Sequence, residues 1–171
     1  MSETQTGEYE IRVAAREDAA RMVRFLEEIL DEGLDVIHPP RLTVEEEEEE
    51  LRRCEENGRS FFLLTLRGDR VVGLLNLAVG GRPFSRHAGT MGISVLEDAR
   101  GAGLGTRLME EMERICRGWP DFCRIELEVH ERNKAAHALY KRLGYVEEGI
   151  KRKSANTTGT PEDTILMAKV W

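Results

Sequence analysis

Cysteine, histidine and long apolar runs are all scarce in this chain, and each scarcity closes a class of function. The three cysteines, Cys54, Cys116 and Cys123, are odd in number and form no C-x-x-C pair. Neither a disulfide framework nor a cysteine-bound zinc is expected, and buried or partly buried free thiols are. The four histidines do not cluster, so no metal site is expected either. No apolar stretch approaches the roughly 18 residues of a membrane span. The opening MSETQTGEYE is polar and acidic, whereas a secretory signal starts basic and turns apolar. A cytoplasmic protein without a membrane partner is the expectation, with residues 1–8 flexible. Positive charge is also in deficit: the net charge of −7 argues against broad nucleic-acid binding, which needs many phosphate contacts. A small anionic ligand needs only a local positive site and is not excluded.

The length of 171 residues suits one domain, 1–171, and no internal repeat is present. Tyr9, Ile11 and Val13 alternate as a first strand with one buried face. Ala19, Met22, Val23, Leu26, Ile29 and Leu30 recur at helical spacing, and Gly33 offers a left-handed stop. The two prolines in LDVIHPPRL, 34–42, make that segment a connection. Thr43 followed by Glu46 predicts a capping box for a helix over 44–56. Its glutamate run reads as a solvated face, with Glu48 and Glu49 each four residues before an arginine.

SFFLLTL and VVGLLNLAV flank the turn RGDR as an antiparallel hairpin, and HAGTMGISV, 87–95, is the next strand. Leu104, Leu108, Met109, Met112, Ile115 and Cys116 mark another helix, and RIELEV, 124–129, a further strand. Asn133 caps a short helix with Ala136, Leu139, Tyr140 and Leu143 on its buried face, Gly144 closes it, and a C-terminal hairpin follows. The order predicts a mixed α/β fold of about seven strands and four helices, mainly antiparallel, with one strand-helix-strand crossover near its middle.

Between that strand and helix lies ARGAGLGTRLMEEM, 99–112, with glycine at every second position from Gly101. The spacing G-x-G-x-G is not the G-x-G-x-x-G of a dinucleotide fold, and no Lys-Ser or Lys-Thr follows as in a nucleoside-triphosphate loop. What remains is a glycine loop opening a helix whose free amides and dipole attract an anion. Arg100 and Arg107 flank it and can add charge-assisted contacts.

R-G-A-G-L-G-T followed by a strand and N-K-A-A-H-A-L-Y-K-R-L-G-Y resembles the GNAT superfamily of acetyl-CoA-dependent N-acetyltransferases, with signatures Q/R-x-x-G-x-G/A and N-x-x-A-x-x-L-Y-x-x-x-G-F/Y. Arg100, Gly103 and Gly105 match the first, and Asn133, Ala136, Leu139, Tyr140, Gly144 and Tyr145 the second. The element order agrees from about residue 9 to the end. The resemblance implies that amides across Gly101, Ala102, Gly103, Leu104, Gly105 and Thr106 hold the coenzyme A diphosphate. It also implies that Ile93 and Val95 present backbone groups to the pantetheine and thioester, that Asn133 contacts the coenzyme arm, and that Tyr140 stands near the sulfur as general acid.

Two residues compete as base. Glu128 lies in L-E-V-H-x-x-N, which resembles ribosomal-protein acetyltransferases that use the glutamate after that leucine; His87 begins the strand leading to the glycines. Direct transfer is expected, since no cysteine suggests an acyl-enzyme. G-R-P-x-x-R-H, E-E-G-I-K-R-K and E-D-T-I-L-M-A-K resemble bacterial phosphinothricin-type enzymes that acetylate free amino acids and amino-acid-like herbicides. Segments 34–42, 80–87 and 153–161 are expected to shape the acceptor site. A protein N-terminus is the alternative acceptor, a coenzyme A sensor without turnover the alternative class, and a homodimer through the C-terminal strands a family-based expectation. The Asn156-Thr157-Thr158 sequon reads as irrelevant in a cytoplasmic protein.

Overall fold

The computed structural model describes residues 9–33, 42–156 and 159–171. The N-terminal stretch expected to be flexible, nearly all of the 34–42 connection and the two threonines of the sequon lie outside the described residues. In chain order the elements are β1 (Glu10–Val13), α1 (Ala19–Asp31), α2 (Val44–Asn57), β2 (Phe61–Arg67), β3 (Arg70–Val79), β4 (Ala88–Val95), α3 (Leu104–Cys116), β5 (Arg124–His130), α4 (Lys134–Arg142), β6 (Val146–Ala155) and β7 (Glu162–Val170). The strands form one sheet in the order β1-β2-β3-β4-β5-β7-β6. Every pairing is antiparallel except β4 with β5, which α3 joins as a crossover.

Alternation along the strands divides the interior into two apolar layers. Leu63, Leu75, Leu77, Ile125, Leu127 and Val129 pack with Leu108, Met109 and Met112 of α3 and Tyr140 of α4. Leu64, Val72 and Leu74 face the other way, onto Met22, Phe25 and Ile29 of α1 and Leu51 of α2. A strand with period two between two helical layers can bury both faces. The RGDR turn closes the β2–β3 hairpin with Gly68 at φ 62°, where glycine is favoured.

Two expectations need correction. Ile11 is buried but Val13 is 49% exposed, because β1 is a four-residue edge strand whose last residue precedes a 3-10 turn, Arg16–Asp18. The glutamate run of α2 is not solvated throughout. Val44, Glu47 and Leu51 share a helical stripe that packs inward, and Glu47 is only 2% exposed. Burial, aided by Glu50, pushes its carboxyl up to about 7. Of the two expected i,i+4 pairs, Glu49 meets Arg53 at 3.2 Å, whereas Arg52 turns from Glu48 to Glu49 at 2.7 Å and to Glu56. Cys54, Cys116 and Cys123 are free thiols, and burial pushes Cys54 up to about 11 and Cys116 up to about 12.

Candidate active site

β4 and β5 run side by side for only three residues, with Ala88, Gly89 and Thr90 opposite Arg124, Ile125 and Glu126. Beyond them β4 continues to Val95 against β3, and β5 to His130 against β7. The two strands diverge there, leaving backbone edges in mid-sheet without each other as partner. Ile93 and Val95 lie in the unpaired part of β4, half-buried against the α3–α4 layer. The sheet opens at the end where the glycine loop begins.

That loop has a distinct use for each glycine. Gly101 and Gly103 take φ of 80° and 74°, and Gly103 is the N-cap of α3, without a side-chain cap. The first intrahelical bond runs from Arg107 N to Gly103 O at 3.1 Å. The amides of Leu104, Gly105 and Thr106 precede it and have no acceptor within the helix. Gly105 serves packing: a Cβ there would stand 3.1 Å from Leu139 Cδ2 and 4.0 Å from Ile93 Cδ1. Its smallness lets α3, α4 and β4 meet at one point.

Arg100 is committed to the protein. Its Nε donates to Val95 O at 3.0 Å and its guanidinium to Glu32 Oε2 at 2.8 Å, while Glu32 Oε1 accepts from Glu97 N at 2.9 Å. The arginine therefore braces the glycine loop against the end of α1. A cation not singled out from the sequence touches the first turn of α3: Arg142, in the last turn of α4, donates to Thr106 Oγ1 at 3.2 Å. Its signal was only a basic residue at the end of a short helix, as common as the helix dipole makes it.

Asn133 caps α4, its Oδ1 accepting from Ala136 N at 3.1 Å, which leaves Nδ2 to donate elsewhere. Two turns on, Tyr140 is 6% exposed, its ring 6.2 Å from that of Tyr145. Burial pushes its phenol up to about 12, so it keeps its proton at neutral pH. Desolvation also pushes the Tyr145 phenol up strongly.

On the opposite face of β5 stand Glu126, Glu128 and His130, since Ile125, Leu127 and Val129 point into the α3–α4 layer. Glu128 is ion-paired with Lys151 of β6 and accepts from Thr164 Oγ1 of β7 at 3.4 Å. His87 is not brought to this end. Its carbonyl accepts from Cys123 N at 2.9 Å where β4 and β5 begin their pairing, six residues before Ile93. At about 3.3 Å per residue that is roughly 20 Å along the strand. Gly80–Arg86 precede it at the same closed end. Among the described residues no group of three or more metal-ligating side chains comes together, and no helix is long and apolar enough to cross a membrane.

The chain matches the model of the family described as Acetyltransferase (GNAT) family over residues 19–145. The L-amino acid N-acetyltransferase AaaT of Escherichia coli K12 is 33% identical over 153 residues, spanning 90% of this chain and 91% of that protein. The ribosomal protein bS18 alanine N-acetyltransferase of the same organism is 41% identical over 78 residues, 44% of this chain and 51% of that protein. Among solved structures, a GNAT-family acetyltransferase from Streptococcus pneumoniae superposes with TM-score 0.86 at 30% identity, covering 95% of this chain and 99% of that one. A phosphinothricin acetyltransferase from Sinorhizobium meliloti, in complex with AcCoA, shares the fold with TM-score 0.83 at 20% identity, covering 99% and 89%.

Proposed function

We propose that this chain, which belongs to the acetyltransferase (GNAT) family and is an acetyl-CoA-dependent N-acetyltransferase, takes the α-amino group of a free amino acid as its acceptor. The likeness to an L-amino acid N-acetyltransferase along nine-tenths of the chain carries that choice. Glu128, on the face of β5 away from α3 and α4, is the carboxylate that would meet the acceptor ammonium, in exchange for its ion pair with Lys151. A protein N-terminus is the second reading, favoured by the 41% identity to the bS18 alanine enzyme, which extends over less than half of this chain.

In this reading the uncapped amides at the start of α3 hold the coenzyme diphosphate, with Arg142 and Arg107 beside them. The unpaired edge at Ile93 and Val95 receives the pantetheine arm, a β4 amide stabilises the oxyanion, and Asn133 Nδ2 donates to the arm. Glu128 takes a proton from the acceptor ammonium. The neutral amine attacks the thioester carbon and forms the C–N bond; as the C–S bond breaks, Tyr140 gives its proton to the departing thiolate, and the surplus proton on the newly acylated nitrogen returns to the Tyr140 phenolate. A homodimer and a cytoplasmic setting belong to the same proposal. β6 is an edge strand with Val146 and Ile150 each 60% exposed, and three unpaired thiols suit a reducing compartment.

Thiol release from acetyl-CoA across a panel of free amino acids and N-terminal peptides tests the acceptor. Faster turnover of peptides would select the second reading, and binding without thiol release from any amine would overturn both. Tyr140→Phe is expected to lower kcat about 100-fold with acetyl-CoA affinity unchanged; an unchanged kcat would remove Tyr140 as the acid.

A further inference from the structure

The two carboxylate oxygens of Glu128 have different partners, and one of those partners is exchangeable. Oε2 accepts from Thr164 Oγ1 at 3.4 Å, and Thr164 is 1% exposed with its hydroxyl 2.7 Å from Ser154 Oγ. Oε1 meets Nζ of Lys151, whose side chain is 48% exposed against 32% for Glu128. An ion pair this open to water adds little net stability, so a ligand that replaces one of its halves loses little by doing so.

The backbone holds Lys151 in register with the base. Lys151 lies opposite Thr164, and the next pair is Ala155 with Glu162, so that Arg152, Lys153 and Ser154 stand against Asp163 alone as a bulge directly after the lysine. Ser154 Oγ donates to the Lys151 carbonyl at 3.0 Å, and Lys153, at φ 51°, donates its amide to Asp163 Oδ1 at 2.7 Å. From β6 the lysine reaches past β7 to Glu128, in the part of β5 that β4 does not pair. Arg124, on the same face of β5, is committed to Glu126 and Glu148. Lys151 is the cation that touches the base.

We propose that Lys151 binds the α-carboxylate of the acceptor, so that a free amino acid enters by opening the Glu128–Lys151 pair and taking both halves. The proposal rests on the free amino acid reading, with Glu128 meeting the ammonium. An α-amino acid carries its ammonium and its carboxylate on one carbon, so its two charges lie side by side as those of the ion pair do. With the ammonium on Glu128 Oε1 and the carboxylate on Lys151 Nζ, every charge keeps a partner. When Glu128 accepts the acceptor's proton and passes it to water, Lys151 remains paired with the carboxylate. An amine without a carboxylate displaces Lys151 and offers it nothing, which sets two cations against one carboxylate. A peptide N-terminus is rejected by that unpaired charge.

The test measures kcat/KM of the full-length enzyme at saturating acetyl-CoA and one pH, for the best free amino acid of the panel, its α-amide and a dipeptide beginning with the same residue. The parent is expected to favour the free acid over both. Lys151→Met keeps an unbranched stem and removes the charge, and should lower the ratio of acid to amide about 10- to 100-fold, chiefly through KM for the acid. Comparing the ratio between parent and variant cancels the different basicities of the two amines. Lys151→Arg should restore most of the preference. An undiminished preference in Lys151→Met overturns the assignment and leaves the free amino acid reading standing. Equal losses with acid and amide, or a parent indifferent to the amide, also overturn it. Faster turnover of the dipeptide by the parent overturns the acceptor reading and this proposal with it, and full activity of Glu128→Gln overturns the base and the exchange at it.

Discussion

The N-termini of α2 and α3 face the same requirement and meet it in opposite ways. Each begins with backbone N–H groups that no helical carbonyl can accept. α2 satisfies its own: Thr43 Oγ1 accepts from Glu46 N at 3.2 Å, Glu46 Oε2 accepts from Thr43 N at 2.8 Å, and Glu45, Glu46 and Glu47 occupy its first turn. α3 begins at Gly103, with no side-chain cap and no acid in its first turn. The first terminus repels an anion by its own carboxylates, and the second presents amides and partial positive charge to one. A chain of net charge −7 can therefore bind a diphosphate, because the binding field is local.

Moving the α2 solution to α3 should erase the difference between the two termini. Thr106 holds in α3 the third helical position that Glu46 holds in α2. Thr106→Glu is expected to weaken acetyl-CoA binding about 100-fold, or about 2.7 kcal/mol. Two like charges about 4 Å apart repel by up to about 4 kcal/mol near a protein surface, less with screening. The melting temperature should hold or rise, because an acid in the first turn adds roughly 0.3–1 kcal/mol. Calorimetric titration and a thermal melt read the two effects separately. An unchanged Kd would take the diphosphate away from this terminus.

Of the three acids in the first turn of α2, Glu47 is the buried one. Its carboxyl stands at about 7 against an ordinary 4.5, so the folded state holds the proton more tightly than the unfolded chain. The stability it contributes is fully present below pH 4.5 and is lost as pH rises through 7. Glu47→Gln keeps the shape and removes the charge. The variant should match the parent at the acid end and exceed it by about 1–3 kcal/mol above neutrality. Urea unfolding at the two extremes checks this, and equal stability at both would mean the carboxyl is solvated after all.

The two termini also show what a sequence can disclose. Thr43 with Glu46 and the G-x-G-x-G spacing are local patterns with local causes, and the capping box and the glycine turn both formed where those patterns stand. The element order, the crossover and the Asn133 cap were readable for the same reason. Partners distant in sequence were not readable. Gly105 is small because Leu139 lies 34 positions away and 3.1 Å from its missing Cβ. Arg100 turns to Glu32, 68 positions back. His87 is close to the glycines in sequence, yet its strand carries it to the opposite end of the sheet. Lys151 reads as one more charge in a basic run until Glu128, 23 positions back, stands beside it.

The smallest effect is a control on the first. Thr43→Ala deletes the α2 cap and should lower stability by about 1 kcal/mol, or roughly 2–4 °C in Tm for a domain of this size. Acetyl-CoA affinity should not change, because α2 enters the coenzyme site through none of the contacts at Gly103, Gly105 or Thr106. The double variant with Thr106→Glu should then show summed effects in both stability and affinity, as sites without a shared partner do within about 0.5 kcal/mol. A coupling larger than that would mean that the two helix starts communicate, and the closed terminus of α2 would have to be counted as part of the donor site.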